Sequence, residues 1–415
     1  MQFGWVLRQL DIKNAFLHGI LQEEVFMAQP PGFADTRHPE LVCKLQKSLY
    51  GLKQAPRAWN DRFTSFLPSL GFNHTYSDSS LFVKNLAAGI VVLLVYVDDI
   101  IITGSNSCAV GEVINALTAE FDVKDLGCLH YFLGIQITNT ANAMILSQSR
   151  YIQELLLKTD MQAAKPCATP CLPYQRLLKN DGVLFDNPTL YRSIVGALQY
   201  LTFTRPDVAF SVHQVCQFMQ QPMVAHFTAV KRILRYLKGT LHFGISYTKG
   251  SLDLTAYSDA DWAGDPNDRR STTGQIVFLG SNPISWSSKK QQTVSRSSTE
   301  AEYRALSSTS AEIDWVKQLL KFLGVSISQP PVLYCDNLSA IALSFNPVNH
   351  QRTKHIEIDV HFVRERVAAN QLIVQFVSSQ EQFADILTKG LSSPLFHTHC
   401  RNLMLGFFKP EVEGG

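Results

Sequence analysis

Apolar positions along the first part of the chain gather into short runs rather than long helical stripes. The longest, Ile90 to Val97, meets a second β-rich run beginning at Ile100, and Asp98 and Asp99 lie between them. Two such runs predict a hairpin. Asp-Asp before Ile is not the turn sequence such hairpins prefer, which is Asn-Gly or Asp-Gly. Upstream, the lone acid Asp11 follows Val6 and Leu7 and precedes Ala15, Phe16 and Leu17, a half-buried pattern. Tyr151 to Lys158 reads as a helix, and Pro166, Pro170 and Pro173 then break the chain into a connector. Helical periodicity returns from Tyr191 to Lys238, where Val230, Ile233, Leu234 and Leu237 form an apolar stripe flanked by Lys231, Arg232, Arg235 and Lys238. This basic face reads either as an ordinary solvated surface or as a track for phosphates.

From Ser251 the period changes again. Leu252, Leu254 and Ala256 alternate with polar residues, Gly274 to Leu279 and Ile284 to Trp286 read as further strands, Ser298 to Phe322 as a helix, and Val332 to Cys335 as another strand. The pattern predicts an α/β domain beginning near residue 250. The expected organisation is 1–165, 166–250 (mainly helical), 251–391, and a tail at 392–415.

At 415 residues and 46% apolar content the chain can bury two or three cores. A net charge of +2 gives no global field for nucleic acid, so any such binding must rest on local patches. Eight scattered cysteines without a CxxC pair, and no apolar leader in residues 1–20, fit a reduced intracellular compartment. The longest apolar run is too short to span a bilayer. His397, His399 and Cys400 offer three close metal ligands, but no fourth at convincing spacing for zinc.

Adjacent carboxylates between apolar strands repel each other and resist desolvation, and a divalent cation relieves both effects; a polar turn is the alternative. Gln9-Leu10-Asp11-Ile12-Lys13-Asn14-Ala15-Phe16-Leu17-His18-Gly19 and Tyr96-Val97-Asp98-Asp99 resemble the first polymerase motif and the catalytic hairpin of copia-type retrotransposon reverse transcriptases. Gln29-Pro30-Pro31-Gly32-Phe33 and the segment from Leu45 to Trp59 resemble that family's intervening motifs in the same order. The likeness continues through Lys124-Asp125-Leu126-Gly127, Tyr131 to Ile135, Tyr191 to Gly196, and Thr204-Arg205-Pro206-Asp207.

The resemblance implies a polymerase palm at 1–165 and a thumb or connection region at 166–250. It further implies that Asp11, Asp98 and Asp99 hold two Mg2+ ions about 4 Å apart. Phe16 would press on the sugar and reject a 2′-hydroxyl, Tyr50 and Gly51 would line the nucleotide pocket and template, and Lys124 would protonate pyrophosphate. The implied partners are an RNA template, a DNA primer, deoxynucleoside triphosphates and other products of the same polyprotein. The implied location is cytoplasmic virus-like particles, the nucleus, or both.

A second set of acids occupies the C-terminal domain: Asp259 at a strand end, Glu300 and Glu302 opening a helix, Asp336 after a strand, and Asp385 opening a late helix. Acids at strand ends and helix starts can converge on one sheet edge as a two-metal site for phosphodiester hydrolysis. The structural alternatives are a capping box at Thr299-x-x-Glu302, a helix cap at Asp336 and surface charge at Asp385. Tyr257 to Gly264, Ser298 to Tyr303, Cys335 to Ala340, Lys354-His355-Ile356 and Ala384 to Lys389 stand in the order found in copia-type ribonuclease H domains. The resemblance implies a ribonuclease H site of Asp259, Glu302, Asp336 and Asp385 with two Mg2+ ions, acting on RNA–DNA hybrids. Glu302 is favoured over Glu300 because Ala305 follows it by three residues, as in several ribonuclease H lineages. His355 is left outside the core site.

Only ten residues precede Asp11, fewer than the fingers segment of the family, so a truncated palm with doubtful polymerase activity is expected. The alternative function is a non-catalytic nucleic-acid-binding remnant in which the helix around Arg235 still binds hybrid. An unrelated two-metal nuclease would leave the ordered polymerase motifs unexplained.

Overall fold

A run that is apolar at every position, rather than at every second one, belongs to a strand covered on both faces. In the computed structural model, which describes residues 2–75, 77–87, 89–180, 182–345 and 356–408, β6 (Gly89–Tyr96) is such a strand. Val91, Leu93 and Val95 face one core with Trp59, Phe63, Val113 and Leu117, while Ile90 and Val92 face another with Leu81 and Val83. The chain forms two compact units: Phe3–His130 with Gln318–Val325, and the remaining described residues.

The first unit contains β1 (Arg8–Ile12), β2 (Ile20–Ala28), β3 (Val42–Lys47), β4 (Asn73–His74), β5 (Leu81–Leu86), β6, β7 (Asp99–Gly104) and β8 (Val123–Cys128). Among the described residues one sheet has the order β4-β5-β6-β7-β1-β8, with β2 and β3 paired separately. Helix α1 (Ala55–Phe66) starts on Pro56, whose fixed φ suits a first turn, and buries Trp59 and Phe63 four residues apart. Helix α2 (Ser107–Glu120) is capped by Asn106, whose side chain accepts from the amides of Cys108 and Ala109.

The second unit holds β9 (Tyr131–Phe132), β10 (Ile135–Asn139), β11 (Ala143–Ser147), α3 (Ser149–Lys158), α4 (Pro188–Leu201), α5 (Pro206–Cys216), α6 (Val224–Gly239) and β12 (Phe243–Thr248). The helical region from Tyr191 to Lys238 is thus three helices; α5 begins on Pro206, which cannot continue the preceding helix. Arg205 and Asp207 form a bidentate ion pair with fully buried side chains, and Tyr236 on α6 donates to the same carboxylate. The Thr204–Asp207 motif therefore ties α5 to α6.

The unit continues with β13 (Leu254–Asp261), β14 (Thr272–Leu279), β15 (Asn282–Lys290), α7 (Ser298–Phe322) as far as Lys317, β16 (Val332–Cys335), α8 (Leu338–Phe345), α9 (Glu357–Ala368), β17 (Ile373–Phe376), a 3-10 turn at Phe383–Leu387, α10 (Ser393–Asn402) and β18 (Leu405–Phe407). One described sheet runs β18-β12-β11-β10-β9 and the other β15-β14-β13-β16-β17. In the latter β13 pairs antiparallel with β14 but parallel with β16, and β16 parallel with β17. The fold class is α/β, as expected.

Three boundaries differ from those read along the sequence. The one expected near residue 250 is absent: Ile194 and Val230 share one core with Ile276 and Phe278. Tyr131–Lys158 lies in the second unit because β11 pairs with β12. The segment after residue 392 includes α10 and β18, with Phe396, Cys400, Leu403 and Leu405 buried in the main core and β18 paired to β12. No described helix is long and apolar enough to cross a membrane.

Candidate active sites

Strand β1 lies between β7 and β8, with Asp11 directly opposite Asp99 on one side and Lys124 on the other. Opposed residues of an antiparallel pair project from the same face, so these three side chains share one. Tyr96 and Asp99 are the last pair of the β6–β7 hairpin, leaving Val97 and Asp98 as its turn. Val97 has φ 56°, a costly conformation for a β-branched residue. The indole Nε1 of Trp59 donates to the Val97 carbonyl at 2.7 Å, and the Ile12 amide donates to the Asp98 carbonyl at 3.0 Å, which hold the turn.

Burial raises the Asp99 carboxyl above its ordinary range, and the charges of Asp98 and Asp11 push the same way. Gln9 opposes them by donating to Asp99 Oδ1 at 3.1 Å. The structure therefore assembles Asp11, Asp98 and Asp99. The Phe16 and Tyr50 rings lie 4.8 Å apart; Phe16 follows β1 in a 3-10 turn and Tyr50 is exposed. Ser48 donates to the Phe16 carbonyl, and Gly51 has φ 93°, a value that favours glycine. Lys124 is exposed.

In the second unit the parallel register of β13 and β16 places Tyr257 beside Tyr334. Asp259 and Asp336 each follow that pair by two residues, so the register brings both to the same sheet edge. Gly274 on β14 pairs with Asp259, and a Cβ there would meet Thr388 Cγ2 at 2.6 Å and the Ala384 carbonyl at 2.9 Å. Its missing side chain lets the Phe383–Leu387 turn lie over the strand and deliver Asp385. Gln382 secures the approach by donating to the Ser258 carbonyl at 3.0 Å, and the Thr388 hydroxyl donates to Asp259 Oδ2. Helix α7 supplies Glu302.

Mutual repulsion and burial mark the cluster. Burial raises the Glu302 carboxyl to about 9, helped by Asp259 and Asp336. Burial and Asp259 raise Asp385 to about 7. Asp259 is also raised by burial, against the pull of Lys389 and the Thr388 hydroxyl. The Lys389 ammonium lies 2.8 Å from Asp385 Oδ1 and 3.7 Å from Asp259 Oδ2; burial acts to lower its pKa, but the two acids outweigh that and raise it.

The structural alternatives fail at each position. The cap of α7 uses Ser297 and Glu300: the Glu300 amide donates to Ser297 Oγ, and Glu300 accepts from the Arg296 amide and from Arg304. Glu302 is left pointing into the acidic cluster, its Oε2 buried without a hydrogen-bond partner among the described residues. Asn337, not Asp336, caps α8 through the Ala340 amide, while Asp336 accepts from the Ser379 hydroxyl. Asp385 is buried rather than a surface charge.

Oxygen donors of this number and charge suit Mg2+, and the orphaned Glu302 oxygen fits a cation ligand. Asp259, Glu302, Asp336 and Asp385 could hold it, as could Asp11, Asp98 and Asp99 in the first unit. Among the described residues one group of three close metal-ligating atoms stands out, on Glu302, Cys335 and Asp336, within 4.8 Å of one another. His355 lies outside the described residues.

The family described as Reverse transcriptase (RNA-dependent DNA polymerase) matches residues 1–173. The Retrovirus-related Pol polyprotein from transposon RE1 of Arabidopsis thaliana is 52% identical over 401 residues, 96% of this chain. An uncharacterized mitochondrial protein of the same plant is 50% identical over 224 residues, 54% of this chain and 93% of that protein. The chain belongs to the copia-type retrotransposon Pol polyprotein family. It spans 27% of the RE1 polyprotein. A structure of the foamy viral protease-reverse transcriptase in complex with RNA/DNA hybrid is 13% identical, with a TM-score of 0.47, over 90% of this chain and 44% of that one.

In this Pol-family chain the basic face of α6 is partly engaged by the chain itself. Arg235 donates to the Lys165 carbonyl at 2.6 Å, Lys238 to the Ala164 carbonyl at 2.7 Å, and Arg232 to Thr169 Oγ1 at 2.9 Å. Three of its cations thus clasp the connector, and Lys231 lies over the Phe227 ring at 5.0 Å. Sequence reasoning also missed Lys389, Thr388 and Gln9 as partners of the acids, and Gln382 and Trp59 as holders of the backbone beside them. Only Lys389 left a signal, four residues after Asp385 on the same short segment.

Proposed function

We propose that this chain acts as an RNA-directed DNA polymerase that also hydrolyses the RNA strand of RNA–DNA hybrids, with Mg2+ at both centres. The observation that carries the reading is the convergence of Asp259, Glu302, Asp336 and Asp385, drawn from four separate segments, on one edge of the β13–β16 sheet. Burying mutually repelling carboxylates costs stability unless a cation compensates them, so the arrangement favours a function over a structural role. When bound, the divalent ions supply an activated oxygen nucleophile and neutralise charge on the departing oxygen.

The protein's own part is to hold these groups. Thr388 orients the Asp259 carboxylate, Gln382 fixes the backbone of its strand, and burial keeps bulk water from Glu302 and Asp385. In the polymerase centre Gln9 orients Asp99 and Trp59 holds the turn that presents Asp98. The Phe16–Tyr50 ring pair would wall the sugar side of an incoming deoxynucleoside triphosphate, beside Gly51. Lys124, opposite Asp11, would give a proton to pyrophosphate. An RNA template, a DNA primer, RNA–DNA hybrid and other products of the polyprotein are the corresponding partners, in cytoplasmic particles or the nucleus. The binding-only alternative rests on the face around Arg235, where Arg235, Lys238 and Arg232 each give a hydrogen bond to the connector.

The test is a pair of Mg2+-dependent assays on the purified chain. Primer extension on an RNA template, lost in Asp98→Asn/Asp99→Asn, supports the polymerase centre; a folded protein that extends nothing contradicts it. Cleavage of labelled RNA in a hybrid, lost in Glu302→Gln, supports the second centre; intact hybrid contradicts it.

A further inference from the structure

Lys389 gives the second carboxylate centre a positive charge from within the chain. The Phe383–Leu387 turn carries Asp385 into the site and returns the backbone so that Lys389, four residues on, reaches the same place. Its ammonium lies 2.8 Å from Asp385 Oδ1 and 3.7 Å from Asp259 Oδ2. The two carboxylates are only 6% and 4% exposed, whereas the lysine side chain is 41% exposed. The lysine therefore enters from solvent and ends between two buried anions.

We propose that Lys389 is a tethered counter-cation of the metal-free centre, holding Asp259 and Asp385 together and withdrawing when a divalent ion takes the same two oxygens. The inference rests on the ribonuclease H reading above. A divalent ion held by Asp259 and Asp385 would compete with the ammonium for the same two carboxylates. A lysine suits this exchange: it is a point charge on a flexible stem, and its exposed side gives it somewhere to go. Two opposed effects follow. The ammonium stabilises the metal-free fold by separating like charges, and it weakens metal affinity by competing for the same ligands.

The test uses the full chain carrying Asp98→Asn and Asp99→Asn, so that the second centre alone reports, with Lys389→Met and Lys389→Arg added to it. Thermal unfolding is followed in EDTA, and Mn2+ binding is titrated calorimetrically without nucleic acid. Lys389→Met should melt roughly 2–4 °C lower without metal and bind Mn2+ about tenfold more tightly. Lys389→Arg should keep the metal-free melting temperature and gain no affinity. An unchanged melting temperature overturns the counter-cation role. Mn2+ binding that is unchanged or weaker in Lys389→Met overturns the displacement, leaving a structural or metal-assisting lysine, while the ribonuclease H reading stands. If neither protein binds Mn2+, that reading fails as well.

Discussion

Glu300 and Glu302 stand two residues apart at the start of α7 and do different work. Glu300 closes the helix start with Ser297 and pairs with Arg304, whereas Glu302 faces Asp259 and Asp336. Glu302→Gln should therefore abolish hybrid cleavage with little loss of stability, because burial and the neighbouring acids already hold the Glu302 carboxyl neutral at neutral pH and Gln is a neutral isostere. Glu300→Gln should keep cleavage within about threefold of the parent and cost roughly 0.5–1 kcal/mol of stability; urea unfolding beside the activity assay separates the two. The histidines allow a prediction of a different kind. His399 is fully buried, and burial, with Lys389 adding, lowers its pKa to about 4. A histidine whose folded pKa lies below its unfolded value contributes stability in full above about pH 6.5, and that stability is lost as the pH falls toward 4. The loss should reach the order of 3 kcal/mol for this residue, and His399→Leu should flatten the slope of stability against pH over that window.

At the scale of elements, α6 shows what a sequence pattern reveals and what it does not. Its stripe of Val230, Ile233, Leu234 and Leu237 is buried as the periodicity indicates. The partners of its cations are mostly main-chain carbonyls of the connector, and a carbonyl has no residue identity to read. Arg235→Ala with Lys238→Ala should speed limited proteolysis within residues 164–173, while affinity for an RNA–DNA hybrid should change by less than about twofold. A large, salt-dependent loss of affinity would restore the phosphate-tracking role. The helix α7 and the strand β16 were legible almost residue for residue. Less legible was the parallel pairing of β13 with β16, which sets Asp259 beside Asp336: it joins segments more than seventy residues apart. The order of motifs supplied that adjacency through family resemblance, not through local physics.

For the whole molecule, the two carboxylate centres were legible through the order of motifs in the family resemblance, since the acids taken singly read equally as turns, caps or surface charge; the structure brings each set together within a single compact unit. The division between units was not, since the β10–β11 hairpin follows the first sheet in sequence yet pairs onward to β12. The segment after residue 392 was similarly opaque; its short helix α10 buries Phe396 and Cys400, and its pairing to β12 rests on a strand, β18, only three residues long. For Lys389 the sequence offered only its place four residues after Asp385; its approach to Asp259 depends on the turn at Phe383–Leu387. The central claim is that the buried carboxylates around Asp259 cleave RNA paired to DNA. The measurement that tests it most directly is RNA-strand cleavage in a labelled RNA–DNA hybrid, with Mg2+ and then with EDTA, by the purified chain and by Asp259→Asn of equal thermal stability. Mg2+-dependent cleavage is expected from the parent, with a loss of about a thousandfold or more in the variant. A folded parent that leaves the hybrid intact, or an Asp259→Asn variant that cleaves at the parent's rate, would contradict it.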